Sequence, residues 1–419
     1  MTDALQSIRA QTERQVAHWS LAASRLVLDD LAAPDAWRRL EQYLGVSLRR
    51  HLQGVIDRVQ RSAEVLTALS RSAQAPGELV ELRRRLLAFR RQFLRAETTL
   101  DYFADAIATR TNAETAALLR ACDTLAYRSI AQILDQIDKP TPAVLTYIDK
   151  GLGASILKAG LRLWDAGAVS PVAAIKITRH NLLRPTALIH EAGHQVAHIA
   201  GWNEELSATL SQGLAATSSE LAGVWSAWAS EIAADAVAFV HTGFASVAAL
   251  HDVLAGETPS VFRHTPGDPH PICYLRVLLG VEMCRYFYDA GPWDDLARSW
   301  MILYPPRQAP SGTRRILDAS IPALKTIVRL TLDTPMTALR SASLRALVHP
   351  EHVSPDALIQ MSERIGPALF TSTHWLWTES VRILALTGLQ LATKPQDLKQ
   401  ILKLQEQAML RLGGALQAA

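Results

Sequence analysis

Cysteine is scarce: Cys122, Cys273 and Cys284 are the only three in 419 residues. They are odd in number and form no CxxC pair, which excludes a disulfide framework and fits a reducing compartment. No run of eighteen uninterrupted apolar residues occurs. The most apolar stretch, residues 229–254, is broken by Glu231, Asp235, His241, His251 and Asp252, so no transmembrane span is expected. The opening MTDALQSIRAQTERQ lacks the apolar core of a signal peptide, and a cytoplasmic location is the expectation. Charge of one sign is also lacking. A formal net charge of +3 is small for this length and gives no reason to expect nucleic-acid binding. Lysine is rare beside arginine. Nothing resembles a P-loop, a Rossmann glycine motif or a GxSxG elbow.

What is present is an ordinary globular composition. Apolar residues make up 49% and charged residues 20%, which argues against extensive disorder, and the length suffices for two or three domains. Residues 1–138 are poor in glycine and proline and carry helical patterns over about 3–31, 36–70, 77–109 and 112–136. Several long antiparallel helices are the simplest packing. The densest basic run, ELRRRLLAFRRQFLR, keeps Leu82, Leu86, Phe89 and Phe93 at helical spacing. It reads first as a solvated amphipathic helix and second as a surface for an acidic partner.

The segment from Asp138 to Pro142 marks a boundary. After it AVLTYI (residues 143–148) and VAAIKIT (172–178) read as strands. A second boundary lies in the proline-rich stretch from Tyr304 to Gly312, beyond which helices resume. The expected organisation is a helical domain over 1–138, a small α+β centre over 139–308 and a helical C-terminal region over 309–419. The fold class is mainly α.

The chemistry concentrates in RPTALIHEAGHQVAHIAGW. Pro185 suits the first turn of a helix and Gly201 its C-terminal cap. HEAGH between them matches HExxH. His190 and His194 are four residues apart, about one helical turn, so both project from one face and can share a metal. Glu191 is displaced toward the open side, where it can act as general base on an activated water. HExxH also arises by chance, so the motif needs support from elsewhere in the chain.

Support comes 37 residues after His194, at Glu231-Ile232-Ala233-Ala234-Asp235. The segment from Thr217 to Gly243 reads as one helix, with Thr217 and Glu220 at capping-box spacing. Glu231 and Asp235 share a face of an otherwise apolar helix, a costly arrangement without a partner. A zinc ion, one per chain, would supply it. Glu231 completes a His₂Glu site with an open position for water, and Asp235 accepts the outer N–H of a ligand histidine. Gly193 and the surrounding alanines would let the two helices approach closely. His198 lies one further turn along, but Ala197 and Ala200 occupy the positions where HExxHxxGxxH needs glycine and histidine. His198 therefore reads as a packed or supporting residue.

HEAGH followed by EIAAD resembles the gluzincin metallopeptidases, and the ExxAD form is closest to the HtpX and CAAX prenyl protease group. A third element agrees. In DPHPICYLR, His270 and Arg276 keep that group's spacing of a His-Pro followed by arginine six residues after the histidine. The resemblance spans about residues 143–300. It implies a zincin-like centre, hydrolysis of a protein or peptide substrate, His270 steadying the oxyanion and Arg276 supporting the site's carboxylates. It also implies that the strand before the metal helix pairs with extended substrate. That group is largely membrane-embedded, whereas this chain has no apolar spans. Two other readings stand beside a peptidase: a zinc-containing helical scaffold or binding protein, and a zinc amidohydrolase on a non-peptide bond. The flanking helices are expected either to cover the cleft or to bind a protein partner.

Overall fold

The computed structural model describes residues 2–148 and 172–415. Helix accounts for 79% and strand for 4%, so the fold is mainly α, and among the described residues the strands form a single pair. None of the described helices is long and apolar enough to cross a membrane. The described chain forms two compact units, residues 2–111 with Val172, and residues 112–148 with 173–415.

The first unit contains α1 (Thr2–Ser24), α2 (Pro34–Leu44), α3 (Leu48–Ser72) and α4 (Pro76–Ala108). Pro34 and Pro76 open their helices at the position where a missing N–H costs nothing. The Glu78 carboxylate accepts the Gln74 and Ala75 backbone N–H groups at 2.7 and 3.0 Å and caps α4. The pattern predicted one helix over 36–70, but the chain breaks it at Gly45, where φ is 68°. Gly45 donates its N–H to the Glu41 carbonyl. The Glu41 side chain then receives the Arg49 backbone N–H and guanidinium at 2.7–2.9 Å. One carboxylate thus ties the end of α2 to the start of α3. Helices α1, α3 and α4 pack on one another around Val16, Leu52, Ile56, Val59, Leu86 and Phe93.

The second unit begins with α5 (Ala113–Leu134). Strands β1 (Ala143–Ile148) and β2 (Val172–Ile177) follow the sequence expectation and pair in parallel. Their near-continuous burial is what a parallel pair covered by helices requires. Next come α6 (Thr186–Ala200), α7 (Trp202–Ala215), α8 (Ser219–Ala227), α9 (Ala229–Thr242), α10 (Phe244–Leu254), the short α11 (Thr258–Val261) and α12 (Cys273–Tyr288). Further helices continue to Ala415. Helix α6 is the centre of this unit and packs against α5, α7, α9 and α10. The unit does not divide at 138 or 308. Helix α5 joins it because it packs on α6 and on the Leu398–Ala415 helix. The C-terminal region joins it because the Ser380–Thr393 helix packs on α9 and α10.

The core of this unit contains one buried titratable group that sets a pH limit. His241, near the end of α9, is 2% exposed, and its Nε2 has no hydrogen-bond partner. Burial pushes its pKa down from 6.5 to about 4, against a hydrogen bond with the Ser129 backbone that works the other way. The unfolded chain therefore takes up this proton before the folded chain does. The corresponding stability is complete above pH 6.5 and lost as pH falls toward 4, to a total of about 3 kcal/mol. Urea titrations across that window should show a shallower slope for His241→Leu than for wild type. Identical slopes would mean that other groups carry the acid sensitivity.

Candidate metal centre

Helix α6 starts after Pro185 and ends at Gly201, which adopts a left-handed φ of 73°. Within it the four-residue spacing sets the His190 and His194 rings 4.8 Å apart and nearly perpendicular. Helix α9 crosses alongside α6, and Gly193 is the reason it can. A Cβ built there would stand 2.8 Å from the Ala234 Cα and 2.9 Å from its carbonyl oxygen. Only hydrogen fits between these backbones.

That close approach brings Glu231 to the histidines. His194 Nε2 lies 3.3 Å from Glu231 Oε1, and His190 Nε2 lies 3.6 Å from Glu231 Oε2. Donor atoms of the three residues all fall within 4.8 Å of one another. Two donors bound at about 2.0–2.1 Å to a tetrahedral metal are about 3.3 Å apart, so this spacing fits a shared ion. His190 turns its other nitrogen, Nδ1, to Asp235 Oδ1 at 2.8 Å. That contact fixes which nitrogen faces the site. Ser230 Oγ stands 3.4 Å from the corresponding nitrogen of His194.

Arg276, one turn into α12, closes the cluster from the far side. It is 8% exposed. Its Nε and terminal nitrogen donate to the two Asp235 oxygens at 2.6 and 2.8 Å. The same terminal nitrogen is 3.0 Å from Glu231 Oε2. Burial opposes ionisation of both carboxyls. The His190 and His194 hydrogen bonds and the Arg276 charge outweigh it at Glu231, holding that carboxyl far below the usual range. At Asp235 burial is likewise outweighed, chiefly by Arg276 and His190. His190 shows the counterpart: burial would lower its pKa, but Asp235 and Glu231 prevail and it is pushed up to about 10. Two buried carboxylates face one guanidinium, and a protonated His190 balances the remaining negative charge; a metal cation bound through His190 would take the place of that proton.

Glu191 sits next to His190 on α6 and is 5% exposed. His270 lies in the loop before α12, with Nε2 3.7 Å from Glu231 Oε1 and its side chain 63% exposed. It stands beside the three-residue donor group and outside it. His198 is half-buried and also outside that group. His251 and His264 pack edge-on against Trp300 and Trp228.

Two features escaped the pattern. The segment 217–243 is two helices, because Trp228 (φ −91°, ψ 3°) interrupts it. The cap of α8 is Ser218, whose side chain accepts the Leu221 N–H, and not Thr217. The break places Glu231 in the first turn of α9, where backbone N–H groups favour a negative charge. The second is Asp268. Its Oδ1 accepts the His270 backbone N–H at 3.0 Å and faces His270 Nδ1 at 2.7 Å, directing Nε2 toward Glu231. An aspartate two residues before a turn residue is the local signal for such a bond.

Comparison with protein-family models, with curated proteins and with solved structures finds no match for this chain.

Proposed function

We propose that this chain is a zinc-dependent metallopeptidase of gluzincin type, with a zincin-like centre built by β2, α6 and α9. The observation that carries this reading is the meeting of His190, His194 and Glu231 from two helices within 4.8 Å, with Glu191 the residue after His190 on α6. His190, His194 and Glu231 hold the metal. When bound, zinc supplies a Lewis acid for the scissile carbonyl and lowers the pKa of the attacking water. Glu191 accepts a proton from that water and passes it to the leaving amine. His270 is outside the donor group and anchored by Asp268. It donates to the oxygen on which negative charge develops. Asp235 and Arg276 keep His190 and Glu231 oriented. Strand β2 precedes α6 in the chain and, as the resemblance implies, would pair with an extended substrate.

The test combines metal and activity. Purified wild-type protein should carry about one zinc per chain and Glu231→Ala much less, because an incomplete donor set loses affinity steeply. Digestion of an unbiased peptide library should yield cleavages that a chelator abolishes and added zinc restores. Unchanged zinc in Glu231→Ala would move the third ligand elsewhere and end the gluzincin reading. Zinc binding through these three residues without any peptide cleavage would leave a scaffold or a hydrolase of another amide.

A further inference from the structure

Helix α4 repeats with a period of seven on two faces at once. Residues 80–96 read VELRRRL, LAFRRQF, LRA. The third and seventh positions, Leu82, Leu86, Phe89, Phe93 and Ala96, are buried and form the seam that α4 turns to its own unit. The first position is Val80, Leu87 and Leu94, exposed by 71%, 40% and 47%. Positions four and five are arginine in both full heptads, and Arg83, Arg84, Arg90 and Arg91 are all exposed. The outer face of a packed helix ordinarily carries mixed polar residues. Here it carries an apolar row of two-turn spacing flanked by Arg83, Arg84, Arg90 and Arg91, with Glu97 beside its last member, Leu94.

The helix neutralises only part of this positive charge. Glu81 is the only carboxylate in residues 80–96. It is bound to Arg84 and Arg85 at 2.7 and 2.8 Å. Arg90 stacks over Trp19 at 5.3 Å. Among the described residues Arg83, Arg91 and Arg95 have no carboxylate partner.

We propose that this outer face of α4 docks an acidic amphipathic helix of a protein partner. A seven-residue spacing is the repeat of a helix–helix seam, in which apolar side chains interlock along the axis and flanking charges select the partner. Acidic residues beside the partner's apolar row would meet Arg83 and Arg91, which flank Leu87 on either side. Charge excludes a second copy of the same face, which would set arginine against arginine. A nucleic acid would engage the arginines through its phosphates but has no use for three exposed aliphatic side chains in register. A helix lying on a membrane turns its main apolar face to lipid, and α4 buries that face in its own unit.

The test uses the full chain and a synthetic three-heptad helix with leucine along one seam and glutamate at the flanking positions. Controls are a scrambled peptide of the same composition and a version with lysine in place of glutamate. In anisotropy titrations the acidic helix should bind at least about tenfold more tightly than the scrambled peptide. Arg83→Glu with Arg91→Glu should lose about that factor and gain affinity for the lysine version, and Leu87→Ser should lose a similar factor. All three positions are exposed, and circular dichroism verifies that the fold is kept. Equal binding of the scrambled peptide, or insensitivity to Leu87→Ser, would overturn the proposal. So would binding of phosphatidylserine vesicles or duplex RNA, lost in the same variants, while the acidic helix does not bind.

Discussion

Glu191→Gln is expected to keep zinc and fold while peptide hydrolysis falls by about 10²–10⁴-fold. Glutamine has the same shape and occupies the same buried position on α6, beside His190. It has no basic oxygen to take the water's proton, so the loss should appear in kcat and in kcat/KM alike. Helix content by circular dichroism and zinc per chain establish that the comparison is fair. Near-native turnover by a zinc-loaded Glu191→Gln protein would remove the general-base role and with it the peptidase reading. Loss of zinc would instead make Glu191 part of what holds the metal.

Arg276→Met is expected to cost about 3–5 kcal/mol, because it strands buried carboxylates that the guanidinium now compensates. Arg276 makes two short hydrogen bonds to Asp235 and a 3.0 Å contact to Glu231. Methionine fills the volume and supplies no charge. Arg276→Lys should recover only part of the loss, since an ammonium cannot address two carboxylates with a planar fork. Adding Asp235→Asn to Arg276→Met should restore part of the stability, as neighbouring members of one network are not additive. Denaturant midpoints of the four proteins, followed by tryptophan fluorescence, decide this. A methionine variant as stable as wild type would show that the carboxylates do not depend on Arg276.

Much of the local structure was legible because it is periodic. The strands at 143–148 and 172–177 follow from short β-branched runs beside glycine and proline. The buried positions of α4 follow from apolar spacing, and the span of α6 from Pro185 and Gly201. Breaks were less legible. Gly45 ends α2 inside a pattern that reads as continuous helix, because its left-handed turn is locked by Glu41 and Arg49 from either side. Trp228 splits α8 from α9 for no reason visible in the local spacing.

The sequence by itself determined which residues share a face: His190 with His194, and Glu231 with Asp235, each pair four residues apart on a repeat of 3.6. It also provided a glycine at the point of α6 where the α9 backbone passes. Only the tertiary structure decided that these two faces meet and that the Asp235 carboxylate turns to His190 Nδ1. It alone brought Arg276 beneath both carboxylates and let Asp268 aim His270 at Glu231. The reason is physical. Helical periodicity is set within a few residues, whereas the pairing of helix faces across tens of residues is set by how the whole core packs.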